Sequence, residues 1–159
     1  MPTQKKLDKV YMHIAKNVST LSRCGRKQVG CVIVKGNNIL SMGYNGTPTG
    51  MDNNCEETFS KSDDVFTCWY VLHAESNAIA KIANSTNNCS GSTLYTTMSP
   101  CRECAKLIIQ AGIKRVVYKE LYRECLAGET LQAMDLLKEC NVKLQAMTAH
   151  YNLNTNEEG

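Results

Sequence analysis

Residues 93–110 read TLYTTMSPCRECAKLIIQ, a sequence that predicts a strand followed by a helix. The first six of these residues are mostly β-branched or aromatic, which favours a strand. Pro100 ends the strand, and its fixed φ suits the first turn of a helix over residues 102–110. Cys101 and Cys104 are three positions apart, so we expect both thiols at the N-terminal end of this helix.

A second short motif, His73-Ala74-Glu75, opens another predicted helix. Zinc prefers imidazole nitrogen and thiolate sulfur, and a catalytic zinc has three protein ligands and one open position. His73, Cys101 and Cys104 would supply such a set and leave Glu75 beside the metal. The combination of H-x-E with P-C-x-x-C is the signature of zinc-dependent nucleobase deaminases.

Each motif also has a simpler interpretation. A C-x-x-C pair alone suits a redox site or half of a structural zinc site. A closed structural zinc would need a fourth ligand, for which Glu75 is the obvious local candidate. Both motifs together, in this order, favour a catalytic zinc that makes water nucleophilic at neutral pH. Glu75 would then carry the protons that hydrolytic deamination transfers.

The composition is that of a globular protein without a nucleic-acid partner. The chain has 159 residues, of which 43% are hydrophobic and 21% charged. We predict one domain over residues 1–159, with a core of about residues 5–147 and a frayed tail at 151–159. A nucleic-acid editor would want a basic groove and stacking aromatics. The net charge of +3 and the 6% aromatic content argue against that class.

Cysteine usage and the N-terminus bear on the compartment. Residues 1–9 are polar and lack the apolar region of a secretory signal. No apolar run approaches the length of a membrane span. The nine cysteines are therefore interpreted as reduced thiols, metal ligands or small core residues. These features predict a cytoplasmic protein.

The order of elements predicts the fold class. Helices are expected over residues 5–21, 73–83, 102–110 and 129–139, and strands over 29–34, 39–44, 93–98, 116–118 and 142–147. Strands that alternate with helices predict an α/β fold, a three-layer α/β/α sandwich around a five-stranded mixed sheet. The first two strands, joined by a turn at residues 35–38, should be antiparallel and the later ones parallel. Residues 51–66 are polar and without periodicity, and we expect a functional loop there.

Five stretches resemble, in matching order, the deoxycytidylate (dCMP) deaminase family. They are residues 29–34 (VGCVIV), 43–50 (GYNGTPTG), 73–79 (HAESNAI), 99–106 (SPCRECAK) and 110–118 (QAGIKRVVY). The resemblance covers about residues 5–147 and implies the cytidine deaminase-like fold. It also implies hydrolysis of dCMP to dUMP and ammonia, which supplies dUMP for thymidylate synthesis. Another small cytosine nucleotide or nucleoside, dCTP or deoxycytidine, stays open as the substrate.

The resemblance also implies substrate contacts. Arg26 matches the position expected to hold the 5′-phosphate, and Asn45 the one expected to bind the deoxyribose 3′-hydroxyl. The backbone around Ala74 and Glu75 should read the pyrimidine edge, and Tyr122 should lie near the base. A solvated loop arginine and a packing tyrosine are the alternatives for Arg26 and Tyr122.

Members of this family are usually homohexamers, activated by dCTP and inhibited by dTTP, each with Mg²⁺. The resemblance implies the same partners here. The expected effector segment contains Gly43, Tyr44, Asn45, Gly46, Pro48 and Gly50.

Some relatives hold an additional zinc with cysteines and a histidine in the first half of the chain. Cys24, Cys55 and Cys68 fall where such ligands would be, although Thr67 stands where a histidine often sits. A second, structural zinc with an unidentified fourth ligand is therefore one hypothesis. Ordinary buried thiols are the other.

Two further classes compete with a dCMP deaminase. A deaminase of a free nucleoside or base would not need Arg26. A non-catalytic module that retains zinc would have no physical need for Glu75.

Overall fold

The computed structural model describes residues 1–58, 61–122 and 127–147. Four helices lie in these parts of the chain: α1 Gln4–Ser19, α2 Ala74–Ile82, α3 Arg102–Gln110 and α4 Ala127–Glu139. Seven strands accompany them: β1 Gly30–Lys35, β2 Asn38–Tyr44, β3 Glu56–Thr58, β4 Val65–Thr67, β5 Thr93–Met98, β6 Arg115–Glu120 and β7 Lys143–Ala146. The tail predicted at residues 151–159 lies outside the described residues.

The main sheet has five strands in the order β2-β1-β5-β6-β7. The β1–β2 hairpin is antiparallel, and its turn places Gly36 and Asn37 at φ of 54° and 61°, as a tight hairpin turn requires. Strand β1 is antiparallel to β5, whereas β5, β6 and β7 run parallel. The prediction of a five-stranded mixed sheet is confirmed.

Helices cover both faces of this sheet. Because side chains alternate along a strand, Val32 and Val34 of β1 face one way and pack with Tyr11 and Ala15 of α1. The other face carries a larger core that includes residues of α2, α3 and α4: Cys31, Ile33, Ala78, Ile82, Leu94, Ala105, Ile108, Val116 and Leu137. The predicted three-layer sandwich is therefore confirmed.

Two glycines let helices lie directly on the sheet. A Cβ on Gly30 would stand 2.0 Å from the carbonyl oxygen of Ala15 in α1. A Cβ on Gly43 would stand 2.2 Å from the carbonyl oxygen of Ala74 at the start of α2. Neither position has room for a side chain, so these glycines set how closely α1 and α2 approach the strands.

A buried ion pair ties α1 to the sheet. Asp8 is 2% exposed and accepts two hydrogen bonds from the guanidinium of Arg115 on β6, at 2.8 and 2.6 Å. Tyr95 and Gln4 also donate to Asp8, at 2.7 and 2.9 Å. Burial by itself would raise the pKa of Asp8, but these hydrogen bonds and the charge of Arg115 outweigh it, so the pKa is lowered.

The stretch 51–66 differs from its prediction as a loop. Residues 56–58 form β3 and residues 65–67 form β4, and the two strands pair antiparallel as a two-stranded sheet apart from the main one. Strands of three residues are too short to produce a recognisable alternation, which is why the pattern was missed. Within the described residues, no helix combines the length and the apolar character that crossing a membrane requires.

Candidate active site

The N-termini of α2 and α3 meet where the two motifs lie. His73 is the N-cap residue of α2 and Cys101 is the N-cap residue of α3. The Gly46 and Leu72 backbones exchange hydrogen bonds of 3.1 and 2.8 Å, which fixes the chain just before His73. Both cap residues have extended backbone, so their side chains leave the start of each helix rather than following its surface.

His73, Cys101 and Cys104 converge on one point. Their ligand atoms all lie within 4.8 Å of one another. His73 Nδ1 is 3.4 Å from Cys101 Sγ and 3.5 Å from Cys104 Sγ. Zinc bonds of about 2.0 Å to nitrogen and 2.3 Å to sulfur, at a tetrahedral angle, separate N and S by roughly 3.5 Å. The three side chains therefore fit a zinc ion and leave its fourth position open.

Cys101 is placed where a thiolate is stabilised, whereas the hydrogen bond with Cys101 and burial raise the pKa of Cys104. Hydrogen bonding from Cys104, together with His73, lowers the pKa of Cys101 to about 3. The backbone N–H of Cys104 also donates to Cys101 Sγ at 3.5 Å, at the positive end of the α3 dipole. Thiolate is the form that zinc binds.

Glu75 lies in the first turn of α2 and is 4% exposed. Burial raises the pKa of this carboxyl group. Thr96 Oγ1 is 3.2 Å from Glu75 Oε1 and 2.8 Å from the carbonyl oxygen of Met98. The hydroxyl has one proton, so it donates to the carboxylate, or it donates to Met98 and accepts from the protonated acid. Thr96 thus suits both protonation states of Glu75.

A cavity of about 270 Å³ opens beside these groups. It brings together most of the site residues predicted from sequence: Arg26, Asn45, His73, Ala74, Glu75, Cys101 and Tyr122. Cys104 is buried next to the cavity, within reach of His73. Metal-ligand candidates and the expected substrate contacts therefore share one cavity.

Asn45 is fixed by the loop that precedes β1. Its Oδ1 accepts from the backbone N–H of Val29 at 2.8 Å, and its Nδ2 donates to the carbonyl of Lys27 at 2.7 Å. An amide group has further hydrogen-bonding capacity beyond these two bonds. The side chain is consequently held in place at the cavity wall.

Tyr122 is anchored from two sides. Its backbone N–H donates to the hydroxyl of Ser99 at 2.8 Å, and its carbonyl accepts from Thr130 of α4 at 2.7 Å. Ser99 directly precedes Pro100 and also lines the cavity. This arrangement fixes the chain at Tyr122 relative to the loop that bears Cys101.

The β3–β4 hairpin forms another wall of the cavity; the sequence predicted a functional loop here but no role for its individual residues. Glu56, Phe66 and Thr67 line the cavity from this hairpin. Arg26 Nη1 donates to the hydroxyl of Thr67 at 3.3 Å. No motif marks these residues, because hydrogen bonds between a loop and a short hairpin leave no periodic signal. Lys27 is a further basic residue of the cavity that we did not predict.

The three cysteines of the hypothesised second zinc site are found in a different arrangement. Cys24 and Cys55 form a disulfide, and Cys68 is a buried free thiol. The expectation of reduced thiols or metal ligands is therefore wrong for Cys24 and Cys55 in this structure. The backbone N–H of Cys68 donates to the carbonyl of Cys55 at 2.8 Å, so the three residues are neighbours in space.

The residues of the expected effector segment lie in several different parts of the structure. Gly43 packs beneath α2, Asn45 lines the cavity, and Gly46 pairs with the residue before His73. Tyr44 lines a separate groove of about 380 Å³. Pro48 and Gly50 lie in the turn that follows, where the Pro48 carbonyl accepts from Met51 and Gly50 has a φ of 96°.

Comparison with known proteins defines the family. Residues 5–120 match the protein family described as "Cytidine and deoxycytidylate deaminase zinc-binding region". This range contains both motifs and all of the cavity residues named above except Tyr122. The chain belongs to this zinc-dependent deaminase family.

Individual relatives are dCMP deaminases. The chain is 37% identical over 122 residues to the deoxycytidylate deaminase of Schizosaccharomyces pombe, which covers 72% of this chain and 37% of that enzyme. It is 35% identical over 147 residues to the deoxycytidylate deaminase of Enterobacteria phage T4, which covers 70% of this chain and 76% of the phage enzyme. The chain thus spans little more than a third of the yeast enzyme but most of the phage enzyme.

A solved structure agrees over the whole fold. The dCMP deaminase of cyanophage S-TIM5, crystallised in complex with dCMP and dUMP, matches with a TM-score of 0.80 and 37% sequence identity. The match covers 92% of this chain and 100% of that chain.

Proposed function

We propose that the protein hydrolyses dCMP to dUMP and ammonia. The observation that carries this proposal is the presence of a zinc-compatible triad, a buried carboxyl group and a basic residue in one cavity. The dCMP deaminases among its relatives support the same substrate. Production of dUMP would supply thymidylate synthesis.

Glu75 is the proposed catalytic acid and base. A zinc ion held by His73, Cys101 and Cys104 would supply Lewis-acid activation of water at neutral pH. Glu75 takes a proton from water and delivers it to the pyrimidine ring nitrogen. It then takes the remaining proton of the hydroxyl added to the ring carbon and delivers it to the departing amine, which leaves as ammonia. Its burial, its raised pKa and the Thr96 hydroxyl suit a group that must be both charged and neutral during one turnover.

The remaining cavity residues would bind the nucleotide. Arg26 is proposed to hold the 5′-phosphate and Asn45 the 3′-hydroxyl, while the backbone at Ala74 and Glu75 reads the pyrimidine edge. Tyr122 would lie near the base. Support comes from their common cavity and from the hydrogen bonds that fix Asn45 and the chain at Tyr122.

The direct test is product analysis with zinc-loaded protein. Incubation with dCMP should yield dUMP and ammonia in equal amounts, with loss of the cytosine absorbance. Parallel incubations with deoxycytidine and dCTP identify the preferred substrate. Turnover of deoxycytidine or dCTP but not of dCMP would keep the deaminase and overturn the substrate assignment.

We also propose regulation by nucleotides and assembly into a homohexamer, as the family resemblance implies. Tyr44 and Lys81 line the groove of about 380 Å³, and the Lys81 ammonium lies 5.3 Å from the centre of the Tyr44 ring. An aromatic ring with a cation beside it is suited to a base and a phosphate. Rates measured with dCTP–Mg²⁺ should rise, and those with dTTP–Mg²⁺ should fall. Sedimentation gives the oligomer size, and unchanged rates would remove the regulation.

A second zinc at Cys24, Cys55 and Cys68 is proposed for the reduced protein alone. Zinc binds thiolates, so the disulfide and this zinc site exclude one another. A reducing cytoplasm, the proposed compartment, would favour the thiol form. Protein purified with reductant should contain two zinc ions per chain, and one zinc per chain would remove the second site.

A further inference from the structure

We propose that Glu56 is a positioning residue that aims Arg26 at the 5′-phosphate of the substrate. This inference rests on the proposed function and adds to it the β3–β4 hairpin as the element that sets preference for a phosphorylated nucleoside. Glu56 is the first residue of β3, and neither of the zinc motifs includes it.

The main observation is a pair of hydrogen bonds to the backbone of the Arg26 loop. Oε1 of Glu56 accepts from the N–H of Gly25 at 2.9 Å and from the N–H of Arg26 at 3.2 Å. One carboxylate oxygen therefore holds two successive peptide groups. Such a clamp fixes the direction in which the Arg26 side chain leaves the chain, because the backbone at its Cα no longer rotates freely.

The same hairpin also contacts the far end of the Arg26 side chain. The guanidinium donates to the hydroxyl of Thr67 at 3.3 Å, and Thr67 is paired with Glu56 across the hairpin. Strand partners from β3 and β4 thus hold the backbone and the guanidinium of the same arginine. The arginine is thereby preorganised, which reduces the ordering cost of binding an anion.

The loop and the hairpin are joined next to this contact. Cys24 and Cys55 immediately precede the Gly25–Arg26 backbone and Glu56, and they form a disulfide. The backbone N–H of Cys68, just after β4, donates to the carbonyl of Cys55. The link between Cys24 and Cys55, a disulfide here or the zinc proposed for the reduced protein, and the two hydrogen bonds of Glu56 therefore attach the hairpin to the Arg26 loop, as a support for a binding residue requires.

The negative charge of Glu56 and its hydrogen-bond acceptor should have opposite effects on phosphate binding, so the two roles can be tested separately. A carboxylate in a cavity that receives a phosphate repels it, so loss of the charge alone should improve binding. Loss of the hydrogen-bond acceptor should weaken binding. Glu56→Gln removes the charge and keeps an acceptor oxygen, whereas Glu56→Ala removes both.

The test compares steady-state constants for dCMP and deoxycytidine, which lacks the phosphate. For Glu56→Ala we expect the KM for dCMP to rise about tenfold, with kcat and the constants for deoxycytidine within about twofold of wild type. Glu56→Gln should keep the wild-type KM for dCMP or lower it. Glu57→Ala, an exposed neighbour on β3, removes the same charge and should behave as wild type. Melting temperatures verify that each variant is folded.

A double-mutant cycle with Arg26→Ala completes the test. If Glu56 acts through Arg26, adding Glu56→Ala to Arg26→Ala should leave the KM for dCMP unchanged. Additive effects, equal losses for dCMP and deoxycytidine, or equal losses in Glu56→Ala and Glu56→Gln would each overturn the positioning role. Wild-type protein that does not deaminate dCMP would overturn the proposed function itself. Normal wild-type turnover with an unchanged dCMP preference in Glu56→Ala would overturn this inference alone.

Discussion

The cavity has two sides that are built differently. The zinc-compatible side comes from the first turns of α2 and α3, which pack on the main sheet through a large buried core. The other side of the cavity comes from the β3–β4 hairpin, a separate sheet of two three-residue strands. Groups proposed to perform chemistry thus lie on the packed scaffold. Groups proposed to select the substrate lie on an attached hairpin, where sequence changes disturb the core least.

The strongest prediction concerns the packed side. Glu75→Gln removes the group that transfers protons but preserves its size, so kcat should fall by about 10²–10⁴-fold. Zinc content and melting temperature should stay at wild-type values, because Glu75 is outside the triad. Near-normal turnover of this variant would contradict the assignment of Glu75.

A second prediction uses a region away from both sides of the cavity. Asp8→Asn weakens the buried pair with Arg115 and should lower the free energy of unfolding by about 2–3 kcal/mol. Substrate preference should not change, because neither residue lines the cavity. Chemical denaturation of both proteins measures the difference.

The pH dependence of this difference has a defined sign. The folded-state pKa of Asp8 is lowered, so the stability that Asp8 contributes is complete above its unfolded pKa, near 3.9. That contribution is lost as the pH falls through the lower folded-state pKa. The advantage of wild type over Asp8→Asn should therefore be constant near neutral pH and shrink in strong acid. An advantage that grows in acid would contradict the ion pair.

The close packing of α2 is testable at Gly43. A Cβ there would lie 2.2 Å from the Ala74 carbonyl oxygen and 2.6 Å from the Ala78 backbone nitrogen. Gly43→Ala should displace the start of α2, lower stability by about 1–3 kcal/mol and weaken zinc retention at His73. Calorimetry and zinc analysis after dialysis give the two readouts.

Gly128→Ala is the matched control for this substitution. Gly128 lies in α4, and a Cβ there meets nothing within 4 Å. The free energy of unfolding of Gly128→Ala should equal that of wild type or exceed it by up to about 1 kcal/mol. Equal behaviour of the two alanine variants would show that the approach of α2 to β2 does not matter for the site.

The smallest expected effect lies on the hairpin. Thr67→Val keeps the shape of the side chain but removes the hydroxyl that accepts from Arg26. Because this contact is exposed, the KM for dCMP should rise only about two- to fourfold, with kcat unchanged. Thr58→Val, at the other end of β3, is the control and should match wild type. A loss of kcat in Thr67→Val would mean that the hairpin acts on the chemical step.

The difference between the two sides also explains what the sequence could predict. The helices, the sheet and the His73–Cys101–Cys104 group follow from periodicity and from ligand spacing, which are local properties of the chain. Glu56 was missed because its importance depends on two backbone N–H groups 31 and 30 residues away. The disulfide was missed for a different reason: the resemblance grouped Cys24, Cys55 and Cys68 as possible zinc ligands, and sequence spacing does not distinguish a thiolate site from a disulfide.

The most direct measurement is the ratio of kcat/KM for dCMP to that for deoxycytidine, made with zinc-loaded wild-type protein. A charge-assisted hydrogen bond from Arg26 to the 5′-phosphate should favour dCMP by about 10–100-fold. A preference of this size would support both the reaction and the role of the Arg26 side of the cavity. Equal values for the two substrates, or no turnover of either, would contradict the account.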